Sequence, residues 1–169
     1  GKLPLDLYSD WLTSFDASKY EDSLYVPGQY TGMNKPDLSS LKAIVSFDST
    51  TLIMGSLRKP KRIKIRTNDE REQMWLAKAG EDLRMDERIE QMFKIMNCVL
   101  VKNAQCVQRN LVLRTYDVIP LNRSTGIIEW IPNTIPIKAM LSDTMKRTHK
   151  MKKTIYDITV QHYVHPMEK

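Results

Sequence analysis

The residues of this chain best placed to do chemistry lie in Leu76-Ala77-Lys78-Ala79-Gly80-Glu81-Asp82-Leu83-Arg84-Met85-Asp86, where an apolar run delivers one lysine and then gives way to charge. A lysine at the end of an apolar strand presents a fixed cation to a polyphosphate, and an acid a few residues later, Glu81 or Asp86, can orient the amine. Each residue also has a plainer reading. A strand lysine ordinarily snorkels to solvent. Glu81 and Asp82 stand where a helix begins, so they can cap it and complement its dipole, worth about 0.5–2 kcal/mol.

Two further groups have the composition of a nucleotide cleft. Ser56-Leu57-Arg58-Lys59-Pro60-Lys61-Arg62 is a basic turn between two expected strands. It holds no G-x-G-x-x-G, so an anion would be met by the Ser56 hydroxyl, the amides around Leu57 and cations such as Arg58; a solvated basic hairpin is the alternative. Glu129-Trp130-Ile131-Pro132 closes a strand with an aromatic and a proline. Such a segment can turn backbone groups to the polar edge of a heterocycle while side chains cover its face, or it can simply bury a tryptophan. Tyr116 is by default an inward core phenol, and a wall of the cleft if one exists.

Other chemistry finds little support. His162 and His165 stand three apart without Cys or acidic companions, and no metal ligand set is expected in the chain. Cys98 and Cys106 are too few for a disulfide framework and lack the setting of a catalytic thiol.

The elements that must hold these groups can be read from periodicity. Leu5, Leu7, Trp11, Leu12 and Phe15 follow helical spacing, so residues 5–22 are expected to form an amphipathic helix, ended by Val26-Pro27-Gly28. Short strand-like runs follow at 43–47, 51–56, 62–66 and 74–78, which predicts an antiparallel sheet. The period changes between Asp82 and Leu100: Met85, Ile89, Met92, Phe93, Met96, Val99 and Leu100 define a helix packed by that stripe, with Arg84, Glu87, Arg88 and Glu90 on its solvated face. Strands are expected again at 111–119 and 126–131, and a helix around Ile137–Met145. Three segments result: a helical lead-in over 1–25, a domain over 26–142, and a basic tail over 143–169.

Composition narrows the partners. The 169 residues are 41% hydrophobic with a net charge of +6, as for one globular domain that favours anionic ligands. No apolar run reaches membrane-spanning length and the N-terminus carries no signal-peptide core, so an intracellular chain with no membrane partner is expected. The opening without methionine is read as that of an excised or processed piece. No interleaving of aromatics with the basic turn marks a nucleic-acid surface.

Taken together, Val26-Pro27-Gly28-Gln29-Tyr30, Gly55-Ser56-Leu57-Arg58-Lys59-Pro60-Lys61-Arg62-Ile63, Asp69-Glu70-Arg71-Glu72, Lys78-Ala79-Gly80-Glu81-Asp82-Leu83-Arg84, Leu113-Arg114-Thr115-Tyr116 and Gly126-Ile127-Ile128-Glu129-Trp130 resemble the small lobe of the phosphatidylinositol 3-kinase-related protein kinases. The resemblance implies an α+β fold, a twisted antiparallel sheet with a long packed helix, whose large lobe is absent. It implies ATP and Mg2+ as cofactors. Ser56, Leu57 and Arg58 would form the phosphate loop, Lys78 would meet the phosphates with Glu81 and Asp86 in support, and Tyr116 would form the back of the adenine pocket. Glu129 and Ile131 would offer backbone groups to adenine, with Trp130 covering it. Met85 and Ala79 depart from a glutamine and a glycine usual in the family, without loss of charge.

The family's catalytic loop and Asp-Phe-Gly metal-binding motif have no counterpart here, so the magnesium ligands are expected in the large lobe and the segment alone is expected to be inactive. The closest resemblance, to the branch acting in DNA double-strand break repair, implies a nuclear parent with protein substrates, recruited to DNA ends by the Ku heterodimer. A phosphoinositide lipid kinase lobe and a truncated, non-catalytic interaction module are the alternatives.

Overall fold

The computed structural model describes residues 1–30 and 35–149. They fall into two compact units, Gly1–Ile131 and a second from Pro132. In the first, seven strands form one antiparallel sheet: β1 (Lys2–Pro4), β2 (Ile44–Phe47), β3 (Thr50–Ile53), β4 (Lys61–Thr67), β5 (Glu72–Ala79), β6 (Val118–Asn122) and β7 (Thr125–Glu129). Their order is β1-β3-β4-β5-β7-β6. The long strand β4 pairs with β5 along one edge and shares the other between β3, at Arg62 and Lys61, and β2, at Ile65 to Thr67.

Two-residue alternation sorts this sheet into two faces. Ile63, Ile65, Trp75, Ala77, Ile127 and Ile119 lie on one, as the registers Ile63↔Trp75, Lys61↔Ala77, Ala77↔Ile127 and Ile119↔Ile127 require. That face is the core, closed by Phe15, Val26, Ile44 and Phe47. Phe15 meets Phe47 edge-on at 5.5 Å, so the lead-in is part of the sheet's own packing. The opposite face carries Arg62, Leu76, Lys78, Ile128 and Val118.

The single helix expected over 5–22 is instead a 3-10 turn at Leu5–Leu7, a five-residue helix α1 (Asp10–Ser14) and a second 3-10 turn at Ala17–Lys19. Local side chains divide it. Ser9 accepts the Leu12 N–H and Asp16 accepts the Ser18 N–H, so each turn starts afresh with its own cap. Downstream, Gln29 staples the glycine-proline turn to the sheet, donating to the Val26 and Lys42 carbonyls and accepting the Lys42 N–H.

Helix α2 (Arg84–Leu100) has the predicted extent but turns a different face inward. It packs against β6, with Leu83 at its start and Glu90 buried, while of the expected stripe Met85, Ile89, Met92, Met96 and Val99 stay exposed and Phe93 and Leu100 are half-buried. Glu90, expected on the solvated side, is 5% exposed. The reason lies in residues 111–117, expected as strand and observed without regular pairing. Asn97 takes both backbone groups of Leu113, at 2.7 and 2.8 Å, Glu90 accepts the Tyr116 N–H at 3.2 Å, and Lys94 pairs with Asp117 at 2.8 Å. One helix face thus does for this segment what a neighbouring strand would have done. A short helix α3 (Ala104–Gln108), capped by Asn103, joins the two.

The β2–β3 turn supplies a pH handle. Asp48 accepts from the Thr50 hydroxyl and N–H and pairs with Lys64 at 3.1 Å, which lowers its pKa from 3.8 to about 2, the Thr50 bonds contributing most. A depressed carboxyl contributes stability that is complete above its unfolded pKa and is lost as pH falls through the folded one. Acid titration should therefore remove roughly 1 kcal/mol between about pH 4 and 2, after allowance for solvent screening. Asp48→Asn should flatten the urea midpoint over that interval; an unchanged slope would show the turn carboxylate to be irrelevant.

In the second unit, α4 (Ile137–His149) carries an Arg147–Asp143 ion pair of 2.9 Å, one turn apart. His162 and His165 lie outside the described residues. No described helix is long and apolar enough to cross a membrane.

Candidate functional site

Strand parity decides where Lys78 points. Trp75 and Ala77 belong to the core face, so Lys78 and Leu76 project from the other, together with their register partners Gly126 and Ile128. Its ammonium meets Glu81 at 3.1 Å, with both side chains part-exposed. Asp82 acts elsewhere, accepting the Arg84 N–H at the start of α2 and gripping the Arg84 guanidinium, which holds its own pKa down to about 2. The two adjacent acids have thereby divided their roles: Glu81 pairs with the lysine, and Asp82 takes the N–H of the first helical residue.

Two glycines make this corner tight. Gly126 lies across from Lys78, and a Cβ there would stand 2.7 Å from both the Leu83 Cδ1 and the Ile119 carbonyl oxygen. The bare backbone lets Leu83, fully buried, wedge against β7 and fix where α2 starts, and with it Glu81. Gly80, at φ +79°, turns the chain out of β5. A Cβ at Gly80 would stand 2.8 Å from Arg58 Nη1, so the β3–β4 loop reaches across to the β5–α2 corner. That loop is closed by bonds from Lys59 N–H to the Ser56 carbonyl and from Met54 N–H to the Pro60 carbonyl, leaving Leu57 95% exposed.

At the other end of β7 the ladder is altered. The Glu129 N–H donates to the Asp117 carbonyl at 2.8 Å, but the Asp117 N–H goes to the Glu129 carboxylate at 3.0 Å. A regular antiparallel pair would have returned that N–H to the Glu129 carbonyl. The Trp130 N–H is used by the Met74 carbonyl at 2.9 Å, and the Trp130 ring lies under the Arg62 guanidinium, 5.0 Å from Cζ to centroid. Ile131 follows as the last residue of the unit.

Tyr116 is half-buried beside α2; burial first, then the charges of Glu90 and Asp86, push its phenol pKa up. Asp86 is exposed, and among the described residues no ion pair joins it to Lys78. The structure therefore brings Lys78, Glu81 and Arg58 to one corner and Trp130 with Arg62 to the same sheet face, while Asp86 stands with Tyr116 and Glu90. Sequence reasoning placed Glu90 on the solvated face of α2 and Arg62 at the end of the basic turn, without foreseeing Glu90 beside Tyr116 or Arg62 over Trp130. Arg62 was legible in principle, since it shares the parity of Lys78 once the β4–β5 register is known. Among the described residues no cluster of three or more His, Cys, Asp or Glu can hold a metal.

This arrangement fits the phosphate and base portions of a nucleotide: two cations with a single carboxylate at one end, and at the other an aromatic ring beside a carbonyl relieved of its ladder bond. Among the described residues no acid cluster fits magnesium, whose ligands would come from elsewhere.

The DNA-dependent protein kinase catalytic subunit of Mus musculus is 47% identical over 152 residues, 89% of this chain and 4% of that protein, and its counterpart in Dictyostelium discoideum is 46% identical over 86% of the chain and 3% of that protein. The chain thus spans only a few per cent of the length of these relatives. Among solved structures, the open conformation of CtTel1 matches with a TM-score of 0.75 at 28% identity, over 91% of this chain and 6% of that one. The FAT and kinase domain of CtTel1 matches with a TM-score of 0.64 at 26% identity, over 85% of this chain and 12% of that one. Residues 73–169, more than half of the sequence, match the phosphatidylinositol 3- and 4-kinase family, and with the lysine strand, the helix after it and the tryptophan connector all within that match, the chain belongs to this family.

Proposed function

We propose that the chain is the ATP-binding small lobe of a DNA-dependent serine/threonine protein kinase whose parent acts in nuclear double-strand break repair by non-homologous end joining. The observation that carries the nucleotide part is the Lys78–Glu81 pair of 3.1 Å on the sheet face opposite the core, with Arg58 reaching the same corner. The protein-kinase part is supported by relatives named DNA-dependent protein kinase catalytic subunit at 46–47% identity.

In this reading ATP supplies the transferable phosphoryl group, and the chain's own residues bind and orient. Ser56, Leu57 and Arg58 lie over the phosphates, and Lys78 holds phosphate charge while Glu81 keeps the amine extended. Asp86 adds its charge beside Tyr116 at the back of the base pocket. Glu129 and Ile131 present backbone groups to the base edge, and Trp130 covers its face. The magnesium ligands and the group that positions the acceptor hydroxyl belong to a large lobe, so this segment alone does not catalyse. Protein substrates, Ku and DNA ends are partners of the parent, and no membrane is involved.

The test is phosphoryl transfer by the full-length parent. With ATP, magnesium and Ku-bound DNA ends, label from the γ-position should appear on serine or threonine of a protein substrate. Label on phosphoinositide in its place would favour the lipid kinase, and no transfer at all would favour the interaction module.

A further inference from the structure

Arg62 presents an unusual combination. It sits at the middle of the sheet, paired with Leu76 on β5, on the face that carries Lys78. Its Nε is buried without a hydrogen-bond partner, and among the described residues no carboxylate pairs with it. A half-buried guanidinium whose Nε–H has no acceptor needs some compensation for the water it loses. Here that compensation is the Trp130 ring, 5.0 Å from the guanidinium carbon, within the range where a ring face attracts a cation.

We propose that Arg62 is a positioning residue for base recognition: its guanidinium occupies one face of the Trp130 indole and fixes the ring plane, leaving the opposite face as the shelf for the nucleotide base. The inference rests on the nucleotide reading of this face. It goes beyond that reading by assigning the order of the shelf to a residue on a different strand from the connector. The backbone of Trp130 is anchored separately, through its N–H to the Met74 carbonyl at 2.9 Å, so loss of Arg62 should free the ring without dislodging the chain. A flat guanidinium suits a flat indole better than an ammonium does, and grading between the two is a direct consequence.

Steady-state kinetics of the full-length parent test the proposal. Arg62→Met should raise KM for ATP by about three- to tenfold with kcat within about twofold of wild type, and Arg62→Lys should fall between. Trp130→Leu should raise KM as well, and the double variant should be no worse than Trp130→Leu alone, because Arg62 acts only through the ring. A wild-type KM in Arg62→Met, multiplying effects in the double variant, or a fall in kcat at unchanged KM would overturn the positioning role while a raised KM in Trp130→Leu left the nucleotide reading standing. If Trp130→Leu also keeps a wild-type KM, the base site itself has been misplaced, a different failure with a different signature.

Discussion

Lys78→Ala in the full-length parent is expected to lower phosphoryl transfer by at least about 100-fold, the effect of removing one preorganised charge from a transferring phosphoryl group. The fold should survive. The Lys78–Glu81 pair is 26% and 39% exposed, a setting in which an ion pair contributes no more than about 1 kcal/mol, and Glu81 left alone can rehydrate. Transfer of labelled γ-phosphate, read beside the thermal unfolding profile, separates the two quantities. Activity within a few fold of wild type would sink the assignment of this lysine; lost activity together with lost structure would mean that the pair matters to folding.

The largest effect on stability should come from the opposite face. Trp75 is 2% exposed at the centre of β5 and packs with Phe15, Val26, Ile44 and Ile65. Trp75→Ala should cost about 3–5 kcal/mol, through lost burial and the cavity left behind, a large share of the roughly 5–15 kcal/mol by which a domain is stable. Its indole Nε1 is buried without a hydrogen-bond partner, so Trp75→Phe deletes an unsatisfied donor along with some area and should cost far less. Urea midpoints of the wild type and both variants provide the comparison. Equal losses for Ala and Phe would mean that the indole N–H is engaged after all.

The periodicities in this chain report local order well and facing poorly. Strands at 61–67 and 72–79 and the helix at 84–100 lie where alternation and the 3–4 residue repeat place them, because β-branched runs and helical repeats act within a few residues. The stripe of Met85, Ile89, Met92, Phe93, Met96, Val99 and Leu100 predicts the buried side of α2, yet only Phe93 and Leu100 of it are half-buried, while Leu83 and Glu90 are buried and Asn97 bonds Leu113. Apolar spacing identifies a face that seeks a partner without saying which partner. Segment 111–117 needed backbone donors and acceptors, and polar side chains at positions 90 and 97 supplied them. That exchange spans up to 26 residues of sequence and leaves no local signature.

By itself the sequence determined which residues carry charge to the site: one lysine closing an apolar strand, acids after it, a basic turn before it and a tryptophan ahead of a proline. Tertiary structure alone decided which acid meets the lysine, since Glu81 and Asp86 were both candidates until the Leu83–Gly126 contact fixed the start of α2. It also decided that Arg62 lies over the Trp130 ring, a pairing that exists only once β4, β5 and β7 are in register. Side-chain chemistry is written residue by residue, whereas the meeting of side chains depends on strand register and close backbone approach, both of which are properties of the whole folded sheet.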